Sequence, residues 1–183
     1  PNLNLQLGYD WASQSDHRQR YDNQNGLRGA LNLDQFEQFS SLGTYAIATL
    51  RNNGILVNGG VRYDRNRLQL SDRFTADGDD SDALRLDAIS PQVSITPRLG
   101  THWGLFGGYA LSYETPALSE LAVNPTGLGG FNPELGIQSA QQFELGIRFN
   151  GRQSAASLTA YHIRSTNELT PYELEAFPGR TFY

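Results

Sequence analysis

The residues best suited to contact a ligand lie in one polar stretch near the start of the chain. Residues 13–41 contain His17, Arg18, Arg20, Tyr21 and Arg28. Guanidinium groups form charge-assisted hydrogen bonds with anions and stack on flat aromatic groups. This set predicts a surface that meets an anionic, aromatic-bearing ligand, while a solvated polar loop is the plainer interpretation.

Metal chemistry has weaker candidates. The three histidines, His17, His102 and His162, lack the close spacing of a metal site. Residues 77–82 (DGDDSD) bring four carboxylates together, which suits a hard cation such as calcium. The run does not have the Gly and the late Glu at the positions that an EF-hand requires, so an acidic loop tip is the better interpretation. We therefore predict no metal ligands.

Catalytic signatures are missing from the sequence. Nucleophilic catalysis needs a nucleophile beside a base, and the chain has no G-x-S-x-G motif. Its Gly-rich runs do not follow the dinucleotide or P-loop spacing. With no cysteine, thiolate metal sites and disulfides are excluded. We predict no catalytic residues, no cofactor and no enzyme activity.

Length and charge limit the class of protein. The chain has 183 residues, which corresponds to one domain or part of one, and its 14 basic residues, all Arg, face 19 acidic ones. A net charge of -5 argues against nucleic-acid binding. The absence of any methionine, the start at Pro1 and the strand-like end at Tyr183 predict a piece cut at both ends.

The elements that position these residues are predicted to be β-strands. Apolar and polar residues alternate with a period of two, as in a strand with one apolar face, and no apolar run is long enough for a membrane helix. The stronger strands are 3–11, 55–63, 103–113 and 143–149; the weaker ones are about 42–51, 88–97 and 154–164, and an eighth begins near Arg180.

Short and long connections alternate along the chain. The short ones are 51–54, 98–101 and 150–153, and two of them contain the Asn-Gly hairpin signal. The long ones are about 13–41, 65–87, 114–139 and 165–179. Short turns at one end of a sheet and long loops at the other are typical of outer-membrane β-barrels.

The two predicted faces favour a membrane barrel over a soluble β-sandwich. Aromatic residues on the apolar face form two plausible interfacial girdles, and the opposite face carries groups that a wet lumen tolerates. The first girdle contains Tyr9, Trp11, Tyr63, Tyr109 and Tyr113, and the second contains Trp103. The polar groups are Gln6, Asp10, Asn58, Arg62, Glu144 and Arg148.

The second half of the chain carries a family resemblance. Residues 108–149 read GYALSYETPALSELAVNPTGLGGFNPELGIQSAQQFELGIRF, and 167–173 (NELTPYE) and 179–183 (GRTFY) follow. These motifs resemble the barrel of TonB-dependent outer-membrane receptors, nearest to those for iron complexes. The pattern before residue 108 is compatible with the family but less specific.

The resemblance implies a barrel of roughly 22 strands. The short turns lie about 50 residues apart, so each strand with its connection takes about 25 residues. A barrel of roughly 22 strands would then need roughly 550 residues. We therefore expect an all-β fold, an open antiparallel meander of about seven to eight strands. Residues 1–183 would be a partial barrel domain, with the plug domain and the remaining strands absent.

The resemblance also implies a function. It predicts a monomeric parent receptor in the outer membrane of a Gram-negative bacterium that imports a ferric siderophore or another metal chelate. Its partners would be membrane lipid and TonB, the latter through the missing plug region. The predicted ligand contacts, in extracellular loops, are Arg18, Arg20, Tyr21 and Tyr113. A small stand-alone outer-membrane barrel, either an adhesin or structural protein or a membrane hydrolase, is the alternative.

Overall fold

Seven long antiparallel strands form one sheet in chain order. The computed structural model describes residues 1–126, 129–175 and 181–183. The strands are β1 (Asn2–Gln24), β2 (Leu27–Asn52), β3 (Ile55–Asp72), β4 (Asp82–Leu99), β5 (Trp103–Glu114), β6 (Gln138–Asn150) and β7 (Ala155–Thr166). One short helix, α1 (Leu118–Leu121), lies between β5 and β6. No helix in the described ranges has the length and apolarity needed to cross a membrane.

The period of two predicted these strands correctly. Six of the seven expected segments lie inside one observed strand each, and the seventh, about 154–164, begins one residue before β7. Residue 180, where an eighth strand was expected to begin, lies outside the described residues. The nearby β9 (Thr181–Phe182) pairs with β8 (Tyr172–Glu173) in a separate two-stranded sheet, so it does not extend the main sheet.

The largest correction concerns residues 13–41, which were expected to be a loop. They form the parts of β1 and β2 farthest from the short turns, and these two strands pair almost to the tip of their hairpin. Its turn is Asn25-Gly26, with φ angles of 52° and 87°, the positive values that a tight hairpin turn requires. The prediction failed because apolar alternation stops at Trp11, although the strand continues with polar residues.

The other long connections differ in how much of them is loop. Between β3 and β4 only residues 73–81 are irregular, so most of the expected loop 65–87 is strand. The expected loop 114–139 is confirmed over 115–126 and 129–137, apart from α1. The three short connections are also confirmed, and Asn53-Gly54 again has positive φ angles.

In the parts of β1 and of β3 to β6 nearest the short turns, most apolar residues lie on the same side of the sheet. Paired residues share a face in an antiparallel sheet. The register joins Leu5 to Ala48, Val93 to Tyr109, and Tyr109 to Phe143. We call this side the front face and the opposite side, which carries Gln6 and Glu144, the back face. The apolar front-face side chains are largely uncovered, with Leu5 62% and Leu145 65% exposed.

The two faces exchange character part of the way up the sheet. Beyond Trp11 in β1 and Tyr63 in β3, the front face becomes polar. On the back face of β3, Leu68 and Leu70 are buried in an apolar cluster. We call this change the face switch. It indicates that the environment of the front face changes from apolar to aqueous at this level.

The front-face band has the height of a membrane core. Ile55 to Tyr63 is eight residue steps, about 27 Å along the strand at roughly 3.4 Å per step. Strands in barrels are tilted by about 40°, which reduces this length to a height of about 21 Å, against about 25 Å for a transmembrane barrel.

The face switch also follows the tilt that a barrel requires. In β5 the front face is apolar as far as Tyr113, whose partner in β6 is Ser139. In β6 the last apolar front-face residue is Phe143, four residues closer to the short turns. Tilted strands produce this step, because a row of paired residues then rises along the barrel axis. The edges β1 and β7 do not pair with each other in the described residues, so the sheet is open as expected.

Candidate functional site

The connection between β5 and β6 folds back over the sheet at its long-loop end. Leu121 of α1 is 0% exposed and packs with Phe131, Leu68 and Leu70 in one apolar cluster. Leu68 and Leu70 belong to the back face of β3, above the face switch. The connection therefore covers the back face where that face is apolar.

Hydrogen bonds fix this connection to itself and to β4. The Asn132 N–H donates to the Leu121 carbonyl at 2.7 Å, and the Phe131 N–H donates to Asp82 Oδ2 at 3.0 Å. Asn124 and Asn132 are buried, and each side-chain oxygen accepts a backbone N–H two residues further on, from Thr126 and Glu134. These contacts hold the connection in one conformation over the strands.

Two carboxylates of the acidic run 77–82 already accept hydrogen bonds from backbone N–H groups. Asp79 Oδ1 accepts the Ser81 N–H at 3.0 Å, and Asp82 binds the connection described above. Burial, together with Asp72, Asp77 and Asp79, raises the pKa of Asp80 above its usual range. No group of three or more metal-ligating side chains was found among the described residues.

A cleft of about 420 Å³ lies between the connection and the back face. Its sheet side includes Gln14, Asp16 and Glu37, and its other side is residues 115–119. At the edge of this group, Arg18 Nη1 lies 3.2 Å from Glu37 Oε1. Glu37 also accepts a hydrogen bond from Gln35 at 2.5 Å. The charged residues that line the cleft, Asp16 and Glu37, are acidic, and Arg18 lies beside them. Apolar side chains such as Phe39 and Leu68 complete the lining.

The four predicted ligand contacts are divided between the faces. Arg18 and Arg20 lie on the back face of β1, next to the cleft side of the sheet. Tyr21 follows a register shift, and its hydroxyl donates to front-face Gln19 at 2.9 Å. Tyr113 lies on the front face of β5. All four are in strands, which corrects the expectation that they lie in loops.

His17 has a structural environment on the front face of β1. Its ring stacks on Phe36 with centroids 4.5 Å apart, and its Nε2 lies 2.7 Å from Asp34 Oδ1. Hydrogen bonds from His17 and then from Gln19 hold the pKa of Asp34 below its usual range. The Arg73 guanidinium lies 4.1 Å from the Phe36 ring centroid. These contacts stiffen the hairpin and leave His17 on the opposite face from the cleft.

An ion-paired arginine braces the back face just below the cleft. Arg62 Nη1 lies 2.6 Å from Asp10 Oδ2, and Arg62 Nη2 lies 2.7 Å from Asp64 Oδ1. A side chain at Gly43 would collide with both Arg62 and Asp64, so a glycine there leaves room for the bridge. The sequence indicated Asp10 and Arg62 as polar lumen-type residues but gave no pairing. Glu144 and Arg148, which belong to the same set of predicted lumen-type residues, form no ion pair with each other within the described ranges.

We expect Arg62→Ala to lower barrel stability by about 1 kcal/mol, the upper range for exposed ion pairs. The change leaves Asp10 and Asp64 as neighbouring carboxylates without a cation. The temperature at which the folded receptor unfolds in detergent, read from its gel mobility, measures the effect. Arg148→Ala is the control, since Arg148 contacts only the Phe106 ring in the described residues. Equal losses in both variants would contradict the bracing role.

Three solved structures share this arrangement of strands. They are the copper transporter OprC, the ferric-catecholate import receptor Fiu from E. coli K12 and the alcaligin outer membrane receptor FauA from Bordetella pertussis. The TM-scores are 0.66, 0.63 and 0.58, at 18%, 15% and 13% identity. The matches cover 88%, 98% and 96% of this chain but only 27%, 30% and 29% of the others. The chain thus spans less than a third of each of these proteins.

Sequence comparison adds the family. A search of curated protein sequences found no match. The family described as TonB dependent receptor-like, beta-barrel matches residues 2–181, nearly the whole chain. This match agrees with the seven-stranded meander, the apolar front-face band and the long hairpins at one end. The chain therefore belongs to the TonB-dependent receptor β-barrel family.

Proposed function

We propose that this chain forms part of the barrel wall of an outer-membrane receptor that imports a metal complex of the ferric-siderophore kind. The receptor would lie in the outer membrane of a Gram-negative bacterium. The plug domain and the other strands would come from the rest of the parent protein. TonB would act on the plug region to drive transport.

The face switch is the observation that carries this proposal. Below it, the front face offers lipid a band about 21 Å high, and the back face offers polar groups to a lumen. Above it, the β1–β2 hairpin continues for 13 residues of β1 beyond Trp11, about 33 Å in height at the same tilt. The cleft lies on the lumen side of this extension, where a ligand would enter from outside.

Arg18 and Arg20 are the proposed ligand contacts in this chain. Both lie on the back face above the face switch, and guanidinium groups suit the anionic groups of a metal chelate. Glu37 offsets part of the charge of Arg18. The back-face position that supports Arg18 and Arg20 as ligand contacts does not apply to Tyr21 and Tyr113, because their side chains belong to the front face.

Transport assays test the function directly. Cells that lack the parent gene should lose uptake of one radiolabelled metal complex, and the wild-type gene should restore it. A panel of ⁵⁵Fe-siderophores under iron limitation is the first choice. A ⁶⁴Cu assay under copper limitation belongs beside it, because one structural neighbour bears the name of a copper transporter. Unchanged uptake of every complex would contradict the proposal.

Arg18→Gln with Arg20→Gln should weaken binding of the imported complex about tenfold. Two charge-assisted contacts would be lost, partly offset because Glu37 is already paired with Arg18, so the net cost is about 1.4 kcal/mol. Equilibrium binding of the labelled complex to whole cells measures this change. Arg28→Gln is the matched control, because Arg28 lies at the hairpin tip with its guanidinium 3.4 Å from the Tyr21 ring centroid. An affinity of the double variant equal to that of the wild type would exclude Arg18 and Arg20 as contacts.

A further inference from the structure

Three arginines form a cluster on the front face immediately above the face switch. Arg65 and Arg67 lie on β3, and Arg85 lies on β4. Alternate residues of a strand share a face, and Arg67 is the direct cross-strand partner of Arg85. Like charges directly opposite each other destabilise a sheet unless something offsets them. We call these three residues the arginine patch.

The protein offsets only part of this charge. Asp87 is the one carboxylate at the patch among the described residues. Its Oδ2 lies 2.6 Å from Arg85 Nη2, and its Oδ1 lies 3.6 Å from Arg65 Nε. Hydrogen bonding from Arg85 holds the pKa of Asp87 below its usual range, so the carboxylate is ionised at neutral pH. Arg67 has neither an ion pair nor a hydrogen-bond partner in the described part of the chain. Three guanidinium groups and one carboxylate give the patch a net charge of +2.

The surroundings of the patch are neutral. In the register, Arg67 faces Ser40 of β2 and Arg65 faces Leu42. Further up the same face, Gln69 lies between Gln38 and Ala83. No acidic side chain other than Asp87 approaches from the described neighbouring strands. An anion from outside the chain would therefore be needed to balance the patch.

The level of the patch indicates where that anion comes from. Arg65 follows Tyr63, the last apolar front-face residue of β3, by two positions and Arg67 by four. These steps correspond to heights of about 5 Å and 10 Å above the apolar band. The headgroup layer of a bilayer extends about 5 to 8 Å beyond its hydrocarbon core on each side, so Arg65 lies at the level of this layer and Arg67 just above it. The Arg65 guanidinium also contacts the Tyr63 hydroxyl at 3.2 Å, which ties the patch to the aromatic girdle.

We propose that Arg65, Arg67 and Arg85 bind a phosphate group of a glycolipid in the outer leaflet. This inference rests on the proposed membrane orientation, in which the long-loop end faces outward. The outward leaflet of a Gram-negative outer membrane is built from phosphorylated glycolipid. Paired guanidinium forks suit phosphate, because each can donate two parallel hydrogen bonds.

The test uses the full-length receptor purified in detergent, with lipid A as the probe. Native mass spectrometry should show lipid A bound to the wild type. Affinity should fall at least tenfold in Arg67→Gln/Arg85→Gln and should rise in Asp87→Asn. Arg152→Gln, in the short turn at the opposite end, should leave it unchanged. Equal retention in all variants would overturn the proposal.

Further measurements distinguish a phosphate contact from other lipid contacts, and a glycolipid site from a free-anion site. Lipid A from which both phosphates have been removed should bind at least tenfold more weakly, and equal binding would overturn the phosphate contact. If inorganic phosphate at millimolar concentration competes for the arginine patch as effectively as lipid A, the patch is a free-anion site and not a glycolipid site. Membrane fractionation and metal-complex uptake report on the proposed function separately, because the double variant should still insert into the membrane and transport.

Discussion

Gly146→Val is expected to reduce the yield of correctly folded receptor strongly. Gly146 lies on the back face of β6, directly opposite Phe106 of β5. A Cβ atom there would collide with the Phe106 ring and lie 2.7 Å from the backbone carbonyl oxygen of Leu158. The ring can turn aside, but the carbonyl belongs to the β6–β7 ladder and cannot. We expect a cost of about 3 kcal/mol, the upper range for overpacking.

The measurement is the heat-modifiable, folded fraction of the full-length receptor in purified outer membranes. Gly59→Val is the matched control, since Gly59 lies on the front face and a Cβ there meets no atom within 4 Å. Both variants introduce the same strand-favouring residue, so β-propensity does not distinguish them. Normal assembly of Gly146→Val would mean that β6 and β7 can separate at this point, contrary to the packing described.

Local alternation was sufficient to predict the parts of the strands that carry the apolar front-face band. There, one face is apolar and the other polar, so a period of two is visible in Leu3 to Trp11 and in Phe143 to Phe149. Above the face switch, the front face carries Ser, Gln and Arg, and the apolar pattern disappears although the strand continues. Residues 13–41 were therefore predicted to be a loop, even though Asn25-Gly26 carried a recognisable hairpin signal.

The candidate site was harder to predict than the fold. Arg18, Arg20 and Tyr21 were grouped because they are close in sequence, but a strand sends successive side chains to opposite faces. Once 13–41 is recognised as a hairpin, parity alone separates Arg18 and Arg20 from front-face residues such as His17. Pairings across strands, such as Arg62 with Asp10 or Arg67 opposite Arg85, depend on register. That register is fixed by turns many residues away, so a single stretch of sequence does not reveal it.

The fold of the β5–β6 connection over the sheet was also beyond local reasoning. Its prolines, asparagines and glycines are typical of sharp turns, which fit either a ligand-facing loop or one packed on neighbouring strands. Contact between Leu121 and Leu68 decides for packing on the back face, where the connection also lines the cleft. These two residues are 53 positions apart in the sequence and belong to different hairpins. The shape of the lumen-side surface of this chain therefore depends on how the β5–β6 connection packs on the sheet.

Leu121→Asp should release this connection while the sheet remains folded. Leu121 is 0% exposed within the apolar cluster, so the variant loses a buried side chain and introduces a charge. Loss of the apolar contacts alone costs about 3 kcal/mol, and the carboxylate adds to it because no cation lies in the cluster. The few hydrogen bonds that remain, such as Asn132 to Leu121, cannot offset that loss.

Limited proteolysis of the full-length receptor in detergent should then cut within residues 115–137 at least tenfold faster than in the wild type, while the unfolding temperature of the barrel stays nearly constant. Ser119→Asp is the control, because Ser119 lies exposed on the same helix and receives the same charge. Equal protection of the two variants would mean that the cluster does not hold the connection. A fall in barrel stability equal to the local loss would mean instead that the connection and the sheet unfold as one unit.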